Sequence, residues 1–348
     1  METDDRLYMR RCLELAVKAL GNTYPNPVVG AVIVCRGRII GEGYHLRAGE
    51  AHAETMAIES VRGKHLLKES TLYVSLEPCS HHGRTPPCAE RIIAEGIPRV
   101  VVGTTDTSSK VSGRGIQMLR EAGCEVVTPI LEEEARHLNR RFFTFHEKNR
   151  PYVILKWAMS ADGFMDIERP EGSPVGPYWI TGMTERTLVH RWRASEQVIL
   201  AGGETIRKDN PLLNVRYWTG NSPVKAIISR SGTMSSDSAI FSGAEVILFT
   251  EGRNLSLPGT RIVPIDFTGN DVAGKVLEYL FSCGYQSVLI EGGRRTHEMF
   301  LRRGLWDEAR IFTGKMSWGK GLPAPHVSGT VIDSMSFRSA TLRTFINE

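Results

Sequence analysis

The sequence has no apolar run near the ~18 residues that a membrane-spanning helix needs. Its longest, Val28–Cys35, is broken by Gly30 and has the length of a strand, so no membrane partner is expected. The first residues, Met1-Glu2-Thr3-Asp4-Asp5, lack the basic-then-apolar order of a secretory signal. A cytoplasmic location is the expectation. Six cysteines in 348 residues, at 12, 35, 79, 88, 124 and 283, are too few and too scattered for a disulfide scaffold. Charge of one sign is not concentrated: 43 basic and 39 acidic residues interleave to a net +4, and aromatics make up only 8%. Nucleic acid is therefore not the expected partner. There is no internal repeat, no low-complexity segment and no G-x-G-x-x-G, so an ordinary dinucleotide-binding half is unsupported.

What is present is a balanced soluble composition, 41% hydrophobic and 24% charged, in a chain long enough for two domains. Periodicity predicts a helix over about 5–20, strands at Val28–Cys35 and Arg38–Tyr44 joined by an Arg36-Gly37 turn, and a helix from about Ala51-His52. Strands at Thr71–Leu76, Arg99–Gly103 and Glu125–Val127 then alternate with helices near Cys88–Glu95 and 114–122. A charged helical stretch, Leu131–Glu147, leads to Asn149-Arg150-Pro151, where the residue before proline resists helix. Domains are expected at 1–149 and 150–348. The second alternates again: strands at Tyr152–Trp157, Gln197–Leu200, Val224–Ser229, Glu245–Phe249 and Ser287–Ile290, with helices at 184–194, 271–282 and 294–303. The fold class read from this is α/β, two tandem domains of sheets covered by helices.

His52-Ala53-Glu54, then Glu77-Pro78-Cys79, then Cys88 form the first constellation. One imidazole and two thiolates suit a catalytic Zn2+, one per chain, with the fourth position left open for water. A glutamate two residues after the histidine fits a proton shuttle from that water to a departing amine, which makes Glu54 the acid/base candidate. Zinc deaminases with a short spacing place their cysteines as C-x-x-C; here eight residues intervene, so Cys88 must return to the metal by opening a helix. Each residue alone reads as ordinary core; the conjunction does not. Cys12, Cys35, Cys124 and Cys283 are read as structural, within regular elements. His81 and His82 remain either pocket-lining or structural.

With Tyr24-Pro25-Asn26-Pro27-Val28-Val29-Gly30, Gly41-Glu42-Gly43-Tyr44-His45, Ala48-Gly49-Glu50-Ala51-His52-Ala53-Glu54 and the run Glu77 to Cys88, the chain resembles the bifunctional riboflavin-biosynthesis deaminase-reductases. The second half carries matching marks in Leu155-Lys156, Asp162-Gly163, Trp179-Ile180-Thr181, Asp209-Asn210-Pro211-Leu212-Leu213 and Ile290-Glu291-Gly292-Gly293. The resemblance implies a cytidine-deaminase-like zinc domain followed by a dihydrofolate-reductase-like domain, each three-layered. It implies a hydrolase that deaminates diaminohydroxyphosphoribosylaminopyrimidine, and an oxidoreductase that reduces the ribosyl chain to ribityl with NADPH. Asn26, His45 and Arg84 would contact substrate at the first site. Met159, Trp179, Thr205, Asp209 and the run Gly293, Arg294, Arg295, Thr296, His297, Glu298, Met299 would line the NADPH site. Arg193, Leu213, Arg216 and Glu291 would contact the ribose phosphate.

Two departures from the family stand out. Asp106-Thr107-Ser108-Ser109 replaces its Asp-Pro-Asn-Pro, and Phe164–Tyr178 is longer, with Pro177-Tyr178 in place of a small hydroxyl residue before Trp179. Apart from the resemblance, Glu291-Gly292-Gly293 after a strand reads either as a tight turn or as a phosphate-binding helix start. Lys156, at a strand end, reads either as the proton donor of the reduction or as a surface lysine. The expected partner is a small phosphorylated pyrimidine, in a homo-oligomer. Competing readings are a deaminase with a degenerate second domain, a nucleic-acid-editing deaminase, and a structural zinc module. The last would need a fourth protein ligand.

Overall fold

The computed structural model describes residues 2–82, 86–107, 113–243, 245–253, 255–269 and 271–347. The chain separates into two compact units, Met1–Asn149 and Arg150–Glu348. No helix among the described residues is long and apolar enough to cross a membrane.

The first unit contains α1 (Glu2–Val17), β1 (Gly30–Cys35), β2 (Arg38–Tyr44), α2 (Ala53–Ser60), β3 (Ser70–Val74), α3 (Cys88–Ala94), β4 (Arg99–Val102), α4 (Arg114–Glu121), β5 (Glu125–Val127), α5 (Glu132–Leu138) and α6 (Arg140–Lys148). Its sheet runs β2-β1-β3-β4-β5; β1 is antiparallel to both neighbours, and β3 to β5 are parallel. Side chains alternate across β1. Ala31 and Ile33 pack with Ala57, Ile92 and Leu119 of α2, α3 and α4, while Val32 and Val34 pack with Met9, Cys12 and Leu15 of α1. The result is three layers. Gly43 matters to the site: a Cβ there would lie 2.4 Å from the Ala57 amide nitrogen and 2.5 Å from the Ala53 carbonyl oxygen. Only glycine lets α2 lie directly on β2, and α2 carries Glu54. The expected helix 131–147 is two helices, broken at Asn139, whose side chain accepts from Val28 N and donates to Val28 O, each at 2.9 Å. An amide side chain that bonds a distant backbone competes with continued helix.

The second unit contains β6 (Tyr152–Met159), β7 (Phe164–Asp166), α7 (Met183–Ser195), β8 (Val198–Gly202), α8 (Gly203–Asp209), β9 (Val224–Ile228), β10 (Val246–Thr250), β11 (Thr260–Pro264), α9 (Val272–Ser282), β12 (Ser287–Ile290), α10 (Arg294–Arg302), β13 (Glu308–Gly314), β14 (Leu322–Pro323), β15 (Thr330–Ser336) and β16 (Ala340–Ile346). Nine strands form one sheet in the order β11-β10-β9-β8-β12-β6-β13-β16-β15, parallel from β11 to β13 and antiparallel beyond. Val276 and Leu277 of α9 and Phe300 of α10 pack in one core cluster, while Ile206 of α8 and Val189 of α7 belong to two others. From β6 the chain steps past one strand position to β8 and continues outward to β11; β12 then fills the gap and β13 lies on the far side. That reversal puts a crevice at the carboxyl ends of β6, β8 and β12, the usual ligand position in open α/β sheets.

Beyond residue 303 the periodicity gave no expectation, yet β13, β15 and β16 lie there. The reasons are local. β13 buries Glu308 and Arg310 as a pair, bonded at 2.6 Å, which breaks its apolar pattern. β15 is exposed along its whole length, so it has no inward face to alternate.

Candidate active sites

In the first unit, His52 stands immediately before α2, in extended backbone (φ −74°, ψ 163°), and Cys88 opens α3. Cys79 follows β3 in the intervening loop. The His52 Nδ1 lies 3.6 Å from the Cys79 sulfur and 3.4 Å from the Cys88 sulfur, and all three ligating atoms fall within 4.8 Å of one another. Tetrahedral zinc, with bonds of about 2.3 Å to sulfur and about 2.0 Å to nitrogen, requires sulfur and nitrogen about 3.5 Å apart. The donor set therefore fits zinc by both chemistry and spacing. Cys79 is held towards thiolate, because the Cys88 thiol and the Cys88 N–H (3.2 Å) donate to it and His52 lies alongside.

Glu54 is 3% exposed, and burial first, then the Cys79 charge, pushes its carboxyl up to about 7. His45 packs edge-on to His52 with ring centroids 5.1 Å apart. Its Nδ1 is 3.1 Å from the Ala51 carbonyl oxygen, which can only accept, so Nδ1 carries the proton. The His45 Nε2 then accepts from Asn26 Nδ2 at 3.0 Å. Asn26, His45 and His52 are thus brought into one linked group. Arg84 lies outside the described residues, as do Ser108 and Ser109 of the altered loop. His81 and His82 are exposed, and His82 lies 3.6 Å from Glu90, not in the ligand set. Cys12 and Cys35 sit in α1 and β1, but Cys124 and Cys283 fall in the turns just before β5 and just after α9.

A residue whose role the sequence did not reveal is Glu77. Its Oε1 accepts from the N–H groups of Gly115 (2.9 Å) and Ile116 (3.3 Å), and its Oε2 from those of Gly113 (3.0 Å) and Asp106 (3.2 Å). A Cβ on Gly115 would meet the Pro78 carbonyl oxygen at 2.0 Å. The start of α4 is therefore clamped onto the Glu77-Pro78-Cys79 turn, which fixes the turn that presents Cys79.

In the second unit a cavity of about 910 Å³ opens at the strand ends. Lys156, Trp179, Arg193, Thr205, Asp209, Leu213, Arg216, Glu291, Gly293, Arg294, Arg295, Thr296 and Glu298 all line it. Met159, His297 and Met299 do not; Met299 lines the neighbouring recess instead, and His297 is fully buried against Trp157, ring centroids 5.0 Å apart. At the centre, Glu291 accepts a forked pair from Arg193, Nε at 2.7 Å and Nη2 at 2.9 Å, with the Lys156 Nζ 3.6 Å away. Burial opposes the Glu291 charge, but Arg193 and Lys156 outweigh it and hold the carboxyl at about 2. Burial lowers Lys156, which Glu291 partly restores. The longer Phe164–Tyr178 segment is pinned by Arg169, which bonds Asp166, Asp209 (2.8 Å) and the carbonyls of Gly176 and Lys208.

Gly292 and Gly293 form the turn into α10, where a Cβ on Gly292 would lie 2.8 Å from the Thr296 Cβ. A bare backbone turn at a helix start, flanked by the Thr205 and Thr296 side chains, fits a pyrophosphate. A neighbouring recess of about 640 Å³ shares Gly202, Glu204, Arg295 and Thr296 with the first cavity and adds Arg207, Ser229, Arg230 and Ser231. Together they fit an extended phosphorylated dinucleotide such as NADPH.

Comparison with known proteins covers both units. Residues 2–104 match the cytidine and deoxycytidylate deaminase zinc-binding region, and residues 151–348 match the RibD C-terminal domain. The riboflavin biosynthesis protein RibD of Aquifex aeolicus is 39% identical over 326 residues, 91% of this chain and 89% of the relative. That of Bacillus amyloliquefaciens is 37% identical over 95% of this chain and 90% of the relative. A crystal structure of the Thermotoga maritima diaminohydroxyphosphoribosylaminopyrimidine deaminase/5-amino-6-(5-phosphoribosylamino)uracil reductase superposes with a TM-score of 0.90 at 38% identity, covering 99% of each chain. The chain belongs to the RibD family of riboflavin biosynthesis proteins, and is a bifunctional enzyme, a zinc-dependent deaminase joined to an NADPH-dependent reductase.

Proposed function

We propose that residues 1–149 hydrolyse the ring amino group of diaminohydroxyphosphoribosylaminopyrimidine, and that residues 150–348 reduce the ribosyl group of the product to ribityl, the two activities named for the Thermotoga relative. The observation that carries the reading is the tetrahedral spacing of His52 Nδ1, Cys79 Sγ and Cys88 Sγ beside a buried carboxyl, Glu54.

His52, Cys79 and Cys88 would hold the zinc, which when bound acidifies water at its open position towards neutrality. Glu54, with its carboxyl near neutrality, takes a proton from the attacking water and returns it to the departing ammonia. Asn26 and His45 hold the pyrimidine beside it, and Arg84 supplies charge to the ribose phosphate. In the second unit the cofactor, when bound, would supply the hydride. Lys156 gives the proton to the opening sugar, while Glu291 fixes both Lys156 and Arg193 in place. Two cations against one carboxylate leave the pocket positive for the phosphate, which Arg216 meets. Thr205, Asp209, Trp179 and the turn from Gly293 hold the cofactor, and the arginines of the neighbouring recess, Arg207 and Arg230, take its ribose phosphate. The enzyme works on this small molecule in the cytoplasm, as a homo-oligomer.

The test is a coupled assay on the purified chain with the diaminopyrimidine ribose phosphate, following product mass. Without NADPH the mass rises by the exchange of an amino group for oxygen; with NADPH it rises by two further hydrogens. Purified chain without zinc that still deaminates overturns the first half, and NADPH left unoxidised when the deaminated substrate is supplied overturns the second.

A further inference from the structure

Leu213 and Arg216 belong to a loop, not to a helix or strand, so something must hold that loop at the cavity. Leu213 is buried and adopts a positive φ of 47°, a conformation a branched side chain rarely takes without outside support. The Val215 N–H donates to the Ser222 hydroxyl at 3.0 Å, on the loop's own return. Within the loop the Arg216 Nη1 also donates to the Asn214 Oδ1 at 2.9 Å. Two further backbone ties come from α7. Arg193 Nη1 donates to the Asn214 carbonyl at 3.0 Å, and the Arg216 N–H donates to the His190 Nδ1 at 3.0 Å. His190 and Arg193 are three residues apart and lie on one helix face.

His190 is 3% exposed and packs edge-on to Tyr217, ring centroids 4.7 Å apart. Accepting from a backbone N–H requires a lone pair on Nδ1, hence a neutral ring protonated at Nε2. The surroundings enforce this: burial, then the charges of Arg193 and Arg216, lower the ring's pKa to about 4. We propose that His190 is a positioning residue of the reduction, a neutral acceptor that fixes the backbone of Arg216 so that its guanidinium meets the substrate's phosphate. This rests on the reading of Arg216 as a substrate contact. It also gives a role to a buried histidine that lines neither the 910 Å³ cavity nor the 640 Å³ recess.

Two substitutions separate the acceptor from the ring. His190→Asn places an oxygen at the same covalent distance as Nδ1 but removes the ring; His190→Phe keeps the ring against Tyr217 but leaves the Arg216 N–H without an acceptor. Steady-state reduction of 5-amino-6-(5-phosphoribosylamino)uracil, with deamination by the same preparation as the folding control, is the measurement. His190→Phe is expected to raise KM for the pyrimidine about tenfold, the usual scale for an orphaned buried donor, with kcat within about twofold. His190→Asn is expected to restore most of that KM. A loss in His190→Asn equal to or greater than that in His190→Phe overturns the inference, since it would make ring packing the cause. Arg216→Ala supplies the remaining arm. If it raises KM and His190→Phe does not, the inference alone fails; if Arg216→Ala leaves KM unchanged, the substrate reading fails and takes the inference with it.

Discussion

The first unit sets two thiols, the buried Cys88 and the half-buried Cys79, and the buried Glu54 carboxyl beside the His52 imidazole, whereas the second sets one carboxylate, Glu291, its side chain 7% exposed, between the cations of Lys156 and Arg193. The first set is short of positive charge and suits completion from outside by a dication. The second is complete in itself and slightly positive, which suits it to a phosphorylated ligand. The difference extends to construction. The candidate zinc donors arrive on short motifs at a helix start, a loop and another helix start, while the groups proposed for the reduction arrive singly from β6, α7, a loop and the end of β12.

Glu54→Gln is the strongest way to break that contrast. It keeps the volume and removes the proton shuttle, so deamination is expected to fall by about a thousandfold, within the range for positioned acid/base groups. Reduction of supplied deaminated substrate in the same preparation stays within about twofold. Zinc content measured on the variant remains one per chain, because Glu54 is not a donor. A variant that loses zinc as well would show that the carboxylate belongs to the metal's own charge balance.

The second site is expected to yield less. Lys156→Met should lower the reductase kcat by about a hundredfold while leaving NADPH affinity, read by fluorescence titration, unchanged. Its pH dependence sharpens the point. If Lys156 acts as the proton donor, activity falls as pH rises through its pKa, which burial has brought below the usual 10.5 and Glu291 partly restores. Glu291→Gln removes the restoring charge and leaves both burial and Arg193 acting downward, so the alkaline limb of kcat moves to lower pH. An unmoved limb, or one moved upward, would exclude Lys156 as the titrating group.

Glu77→Ala tests the support of the first site and not its chemistry. Four backbone N–H groups lose their acceptor, three of them at the start of α4. At about 1–3 kcal/mol for a buried unsatisfied group, and with water reaching some of them, the first unit is expected to lose about 2–3 kcal/mol in denaturant unfolding. The second unit's transition should not move.

Contiguity also decided what could be read in the sequence. The cluster of His52, Cys79 and Cys88 was legible because each candidate donor sits in a short motif next to a turn or helix start, where spacing and chemistry coincide. Most of the strand and helix alternation up to α10 was legible for the same reason, since apolar periodicity is a local signal; β7 and β11, three and five residues long with only partly buried or mixed faces, were not. What stayed hidden acts through the backbone or through distant partners. Glu77 reads as part of a motif, but its four bonds reach residues 106–116. His190 looks like any helix residue until the fold places it under the Arg216 amide. α8 follows β8 without a loop between them, so a strand and a helix with no turn signal merge in sequence. The Phe164–Tyr178 segment was visible as an excess of length, while Arg169, which ties it to Asp209, had no signature of its own.

The smallest expected effect lies in the recess beside the reductase cavity, where the groups are exposed and individually weak. Arg230 is bonded to Glu251 at 2.8 Å, Arg207 to Glu204 at 2.6 Å, and each arginine must exchange part of that pairing for the cofactor's phosphate. A solvated ion contact of this sort contributes little, on the order of fivefold in affinity at most. Arg230→Ala is therefore expected to weaken NADPH binding about fivefold in a fluorescence titration and to leave NADH binding nearly unchanged. The difference should shrink as salt is raised from about 50 mM towards 0.5 M, because exposed charges are screened over shorter distances. Equal losses for the two nucleotides would mean that the recess does not read the phosphate, and that cofactor choice in this unit rests on the buried groups around the Gly292-Gly293 turn instead.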